Sequence, residues 1–293
     1  MAFMLGIDGG GTSCRAALAT ASGDVIGRGK SGPANIRTDL TRARENIVDA
    51  ARQAFADAGK DPALIPETYA VLGLAGSNVG TYGQQLETIL PFARSRVETD
   101  ALIALEGAVG EGDGAMAILG TGTAYMVRRN GAARAIGGWG FQVGDQGGGS
   151  RIGRELLEET LLAHDGIRPA SPLTNEIIAV FRGNPQDVVE FTINAKPGDY
   201  GGFAPKVFDF AAQGDPVAEA ILARGVAAIE ASLAALDLDG RSPLCLLGGL
   251  APLYAPRLSA RYQAMLRDPR RDALGGAVAM ATRLFGNAEA TRG

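Results

Sequence analysis

The sequence of 293 residues holds one histidine, His164, two cysteines, Cys14 and Cys245, and one tryptophan, Trp139. A Ser-His-Asp triad, a zinc centre or an iron–sulfur cluster would have almost nothing to be built from. The two thiols show no framework spacing, which fits a reducing compartment and small apolar fillers. No run of 18 apolar residues occurs, and MAFMLGIDGGG has no basic stretch before its glycines, so neither a spanning helix nor a signal peptide is expected. The expected location is cytoplasmic. Lys plus Arg number 28 against 32 Asp plus Glu, a net charge of −4. That balance offers no broad footprint for nucleic acid or an anionic membrane, and neither is expected as a partner. Any phosphate must be held locally.

What is abundant is glycine: 42 residues, about twice the usual ~7%. They follow no three-residue period, so collagen is excluded and glycine-built loops become the feature to explain. Hydrophobic residues at 46% and charged residues at 20% match a soluble folded chain, and the length suggests two domains or one large one.

Residues 3–8 are an apolar run ending in three glycines and Thr12, read as a buried strand entering a tight turn. SCRAALATA and VIGRG, separated by SGD, continue it as a meander. Helical spacing from Asp39 to Ala58 follows, with Thr38 or Asp39 as N-cap and Gly59 as stop, then a strand in TYAVLGLAG, a helix over 84–90 and a strand in SRVETD. The second half begins again at Gly114 with an apolar strand, the turn GTGT, and a meander through Asn130-Gly131. Strand, Gly/Thr loop, strand, turn and strand thus occur twice, implying an internal duplication. Helices are predicted at 149–163, 172–182, 203–213, 216–236, near 252–267 and 272–285, with a strand over 243–249. This pattern means an α/β protein with two sheets and a cleft between them.

In GIDGGGTSCR an apolar strand delivers Asp8 to its end, and Gly10 and Gly11 then allow backbone N–H groups to approach an anion, with Thr12 adding a hydroxyl. Asp8 beside phosphates is placed to hold Mg²⁺ directly or through water. A plain glycine hairpin with Asp8 as a turn residue is the competing reading. Thr121, Gly122 and Thr123 repeat the device, and two such loops in two repeats favour phosphate. Gly29-Lys30-Ser31 resembles the end of a P-loop but has Asp24 where glycine is required, and no Rossmann glycine pattern follows the first strand.

With these motifs the chain resembles the N-acetylglucosamine and glucosamine kinases among the BadF/BadG/BcrA/BcrD-type ATPases of the actin-like sugar kinase superfamily. The resemblance spans essentially the whole chain and rests on GIDGGGTSCR, SGPANI, ETDALIALEGA, ILGTGTAY, GGWGFQVGDQGGGS, AAQGDP and LLGGLA. It implies a two-lobed, duplicated actin-like (ribonuclease H-like) fold with the active site in the interlobe cleft. One lobe would be 1–106, completed by helix 272–293, and the other 107–271. It also implies ATP and Mg²⁺ as cofactors and transfer of phosphate to the 6-hydroxyl of glucosamine or N-acetylglucosamine. An alternative within the superfamily is an ATPase activator of a 2-hydroxyacyl-CoA dehydratase, or another actin-like ATPase without a sugar substrate. Oligomeric state is left open, with a homodimer as one option.

The resemblance assigns roles residue by residue. Asp100 matches the base that contacts the phosphorylated hydroxyl, against the competing reading of an ordinary helix N-cap. Asn35 matches a sugar contact, against a turn-forming Asn. Gly138, Trp139 and Gly140 match a loop wrapping the hexose, Asp145 a carboxylate bonding ring hydroxyls, and Thr123 a further sugar contact; Trp139 could otherwise be core. Thr12 and Thr121 are carried over as phosphate contacts. Gly248 and Gly249 fall where backbone packs on adenosine, or form a plain strand-end turn, and Ala204 is a nucleotide-side candidate. Gly147 to Ser150 precede a helix as hinge and N-cap, with no ligand assigned.

Overall fold

The structure, a computed structural model, describes residues 3–77 and 80–286. The chain divides into two compact units, one running to Gly112 and including Arg128–Ala133 and the stretch from Asp268, the other made of Asp113–Val127 and Arg134–Arg267.

In the first unit, β1 (Met4–Gly9), β2 (Cys14–Ala19), β3 (Val25–Ser31), β4 (Tyr69–Leu74) and β5 (Arg94–Thr99) form a sheet in the order β3-β2-β1-β4-β5. β1 pairs antiparallel with β2 and parallel with β4, and β4 pairs parallel with β5. Side chains alternate across the sheet as a two-residue period requires. Leu5 and Ile7 pack with Ala43, Ile47 and Phe55 of α1 (Leu40–Asp57), whose cap is Asp39, its carboxylate accepting from Arg42 N. A Cβ on Gly29 would lie 2.0 Å from the Ala50 carbonyl oxygen. The glycine of the P-loop look-alike is thus there to let α1 sit directly on β3. α2 (Tyr82–Ile89) buries Leu86 toward the same core. Met4, Ala17 and Val71 face the other way, onto Ile103 of α3 (Asp100–Val109).

The second unit repeats the plan. β6 (Gly114–Leu119), β7 (Thr123–Arg129), β8 (Ala132–Gly137) and β9 (Leu244–Leu247) stand in the order β8-β7-β6-β9, with β9 parallel to β6 as β4 is to β1. This is the two-sheet, duplicated α/β architecture expected from the sequence. Its core joins Ala115, Ala117 and Leu119 to Leu156 of α4 (Gly149–His164), Ile177 of α5 (Pro172–Val180), Val188 of α6 (Pro185–Asn194), Tyr200 of α7 (Pro197–Gly201), Phe208 of α8 (Ala204–Ala212) and Ile229 of α9 (Pro216–Ala234). Each such large apolar side chain contributes about 1.5–3 kcal/mol on burial.

The helix expected near 252–267 is broken into α10 (Ala251–Tyr254), a 3₁₀ turn (Ala255–Arg257) and α11 (Ala260–Gln263). Pro252 and Pro256 explain the break, since each lacks the N–H that a continuous helix needs. α6, α7 and a 3₁₀ turn at Pro62–Glu67 were not anticipated; α6 buries Val188 alone, too little to mark an apolar face. α12 (Ala273–Phe285) returns to the first unit and packs on α3 and β1; the end of the stretch 272–293 lies outside the described residues.

Candidate active site

In the first unit the parallel strands β1, β4 and β5 end on the same edge, where open α/β sheets bind ligands. Asp8 is the penultimate residue of β1 and Asp100 follows β5 directly. The cap of α3 is Thr99, whose hydroxyl accepts from Leu102 N at 3.1 Å, so Asp100 is the first helical residue and not the cap. Its exposed carboxylate accepts from the adjacent Ala101 N at 2.9 Å. Partial desolvation pushes the Asp100 carboxyl above the usual carboxylate range; the Ala101 N–H opposes this and the charge of Asp8 adds to it.

The loop from Gly10 to Ser13 closes with one backbone bond, Gly10 N to the Ser13 carbonyl at 2.9 Å. The N–H groups of Gly11 and Thr12 donate to no group among the described residues, and both residues are exposed. A Cβ on Gly11 would meet nothing within 4 Å, so packing does not demand glycine there. Open backbone donors at a place where a side chain would only fill space form a cradle for an incoming anion. Ala34 N donates to Gly10 O and Ile36 N to Ala75 O, which holds Asn35 beside the loop. Asn35 Oδ1 is already engaged, accepting from Arg37 N at 3.1 Å and Thr38 N at 3.3 Å. It forms the turn, and its Nδ2 group donates to no group among the described residues.

Asp8 faces Arg15 across the β1–β2 ladder, and their side chains form an ion pair that the sequence reading missed. Among the described residues no group of three His, Cys, Asp or Glu could cage a metal. One carboxylate, Asp8, beside open amides fits an Mg²⁺ that keeps its waters and arrives on phosphates. Burial, with Asp8 adding, pushes the Cys14 thiol up to about 12, leaving it an inert filler.

The second unit braces its loop from behind. Gly149 N donates to Gly120 O at 2.8 Å, Ser150 N to Thr121 O at 2.9 Å and Ser150 Oγ to the same oxygen at 2.8 Å. Ser150, read from sequence only as the start of a helix, therefore holds the loop, while the N–H groups of Thr121 and Gly122 have no acceptor among the described residues. Gly248 adopts φ +94°, and its α-carbon packs so near Leu119 that a Cβ would lie 2.4 Å from the Leu119 carbonyl oxygen. That brings exposed Gly248 and Gly249 beside the loop. Ala204 is also adjacent, 3.5 Å from where a Gly149 Cβ would be, but its side chain is buried in the core.

The sugar-assigned residues of this unit cluster as well. Thr123 N donates to Asp145 Oδ1 at 3.3 Å, Gly138 N to Thr123 O at 3.0 Å and Gly144 N to Gly140 O at 2.7 Å. Asp145 sits at φ +61°, a conformation uncommon for a residue with a side chain and one that marks constrained loops. A Cβ on Gly122 would lie 2.5 Å from Asp145 Oδ2, so this glycine makes room for the carboxylate. Thr123 is buried, its hydroxyl donating to Gln146 O at 3.4 Å. Trp139 is 78% exposed and is not a core residue. Tyr254 Oη donates to Gly147 O at 2.7 Å, pinning the end of this segment from 107 positions away.

Residues 5–277 match the BadF/BadG/BcrA/BcrD ATPase family. The chain belongs to that family. It is 38% identical over 283 residues to glucosamine kinase GspK of Vibrio cholerae, covering 96% of each chain. It is 25% identical over 270 residues to N-acetyl-D-glucosamine kinase of Dictyostelium discoideum, covering 84% of each. A crystal structure from Chromobacterium violaceum, provisionally assigned as an N-acetylglucosamine kinase, superposes with a TM-score of 0.84 at 29% identity, covering 96% of this chain and 99% of that one. Within this family ATP is the expected phosphate source, and no described helix is long and apolar enough to cross a membrane.

Proposed function

We propose that this protein is an ATP-dependent amino-sugar kinase that phosphorylates the 6-hydroxyl of glucosamine or N-acetylglucosamine. The observation that carries the reading is Asp100, an exposed carboxylate at the end of β5, spared the capping role and raised in proton affinity. A base for a hydroxyl proton needs those properties. The kinship with hexosamine kinases supports the substrate class.

On this reading Asp100 accepts the proton of the attacking hydroxyl, while Asn35 Nδ2, Asp145 and the Gly138–Gly140 turn orient the hexose. The open amides of Gly11, Thr12, Thr121 and Gly122, with the hydroxyls of Thr12 and Thr121, take the phosphates of ATP. Gly248 and Gly249 lie along the adenosine. Mg²⁺ supplies charge neutralisation on those phosphates when bound, with Asp8 as its protein carboxylate. Transfer then depends mainly on positioning and fixed dipoles, which suits a site built from backbone and carboxylates. The dehydratase-activator alternative needs thiol ligands for a cluster, and both cysteines are buried in strands.

The test is ADP release measured over glucosamine, N-acetylglucosamine, N-acetylmannosamine and glucose, with products analysed for the phosphorylated position. Release that depends on an amino sugar and gives its 6-phosphate is expected. Equal ADP release with and without any sugar would contradict the reading.

A further inference from the structure

Between α4 and α9 of the second unit lies a recess of about 270 Å³, its polar lining supplied by Gln146, Arg151, Arg154, Glu155, Glu158 and Arg224. Most of this charge is matched internally. Arg154 Nε donates to Glu158 at 2.9 Å, and Arg224 donates to Glu155 and, at 3.2 Å, to Glu159, which is also held by Arg168 at 2.5 Å. Arg151 is the exception: half-buried, it forms no ion pair among the described residues, and its one hydrogen bond is a long 3.4 Å contact from Nη1 to Phe141 O. Three lining guanidiniums against two lining carboxylates leave one uncompensated positive charge.

We propose that this recess binds a small carboxylate through Arg151, with the Gln146 amide as a second donor. A guanidinium taken partly out of water and left without a partner is stabilised most by a planar carboxylate that accepts from both arms of its fork. A dianionic phosphate is disfavoured, because Glu155 and Glu158 repel the second negative charge. The volume lies just under the usual ~300–1,000 Å³ of ligand pockets, room for an acid of a few carbons or for one substituent of a larger molecule. Both sources are chemically reasonable. Gln146 and Gly147 follow Asp145 directly, so the carboxylate belongs either to a free acid or to an acidic substituent on a hexosamine held by the Asp145 loop. The free-acid source stands on the recess alone, whereas the sugar-borne one rests also on the kinase reading.

The experiment is calorimetric titration of the whole protein with lactate and, separately, with muramic acid, a glucosamine bearing a lactyl ether, each against chloride at equal ionic strength. Saturable binding of at least one, with a dissociation constant of about 1 mM or tighter, is expected, weakened about tenfold or more by Arg151→Gln at unchanged melting temperature. Should Arg151→Gln fail to fold, Arg151→Lys keeps the charge but not the fork and is expected to weaken binding in the same direction. Lactate binding assigns the free acid; binding of muramic acid alone assigns the sugar-borne group. Neither acid saturating, or a substituted protein binding as tightly as the parent, overturns the proposal. Lactate binding lost with Arg151 in a protein inactive on every sugar would break the kinase reading and leave this one standing.

Discussion

The two glycine loops occupy equivalent places in two copies of one topology, yet they are supported differently. The loop after β1 is closed by one internal backbone bond, is held from outside by Ala34 N on Gly10 O, and lies beside charge: Asp8, Arg15 and Asp100. The loop after β6 is braced by Gly149, by Ser150 through two bonds and by the Asp145 carboxylate on Thr123. Both copies keep open amides among the described residues. On the proposed reading the first copy carries the chemistry and the second positions the substrate.

This division is most severely tested at Asp100. Asp100→Asn should lower turnover by about 10²- to 10⁴-fold while raising the sugar KM far less. Because partial desolvation pushes the Asp100 carboxyl of the free protein upward, the acid limb of kcat/KM against pH in the parent enzyme should be displaced upward from that of an ordinary carboxylate, activity falling as the pH drops through it. Steady-state kinetics across pH check both.

Next in size is a change to the first unit's support. Glu106 is buried and bonded to Arg128 at 2.7 Å and Arg283 at 2.5 Å. Burial pushes its carboxyl up, but the guanidiniums of Arg283 and Arg128 together hold it below the usual range. Glu106→Ala leaves buried Arg128 without a carboxylate and Arg283 with only the exposed Glu111 at 3.3 Å, and should cost about 3–5 kcal/mol in denaturant unfolding at neutral pH. A carboxyl whose folded pKa is depressed stabilises the fold above its unfolded pKa and loses that effect as pH falls through the folded value. The gap between parent and variant should therefore narrow in acid.

Smaller effects separate the two functions of the second loop. Gly122→Ala sets a Cβ against Asp145 Oδ2 and should displace that carboxylate, raising the sugar KM about tenfold if the strain is ~1–3 kcal/mol, with nucleotide affinity less affected. Ser150→Ala removes one brace from Thr121 O, worth about 1 kcal/mol, and should raise the ATP KM roughly fivefold with the sugar KM unchanged. Opposite specificities in those two variants would mean that the division has been drawn in the wrong place.

Much of the fold was legible because strands of period two end abruptly in glycine, twice, with the same spacing. The helix starting after Thr38 or Asp39 and the strand within 243–249 followed from local rules, whereas the parallel pairing of β9 with β6 did not. α6 and the broken segment after Gly249 did not, since one lacks a broad apolar face and the other hides two prolines inside a helical period. At the candidate site, Asp8, Asp100 and the glycines were visible as motifs. The Asp8–Arg15 pair could have been found by pairing β1 with β2 through the tight turn, which sets those residues opposite each other. Ser150 was legible only as the start of a helix and Tyr254 not at all, since their bonds run to a loop 29 positions earlier and to a residue 107 positions away, which leaves no local signal.

The most direct measurement is amide hydrogen exchange with and without a non-hydrolysable ATP analogue and Mg²⁺. Gly11, Thr12, Thr121 and Gly122 have N–H groups without acceptors among the described residues, so peptides spanning both loops should exchange fast alone and become protected together with nucleotide. Protection confined to one loop, or found at neither, would contradict the proposal that both turns take the phosphates of ATP.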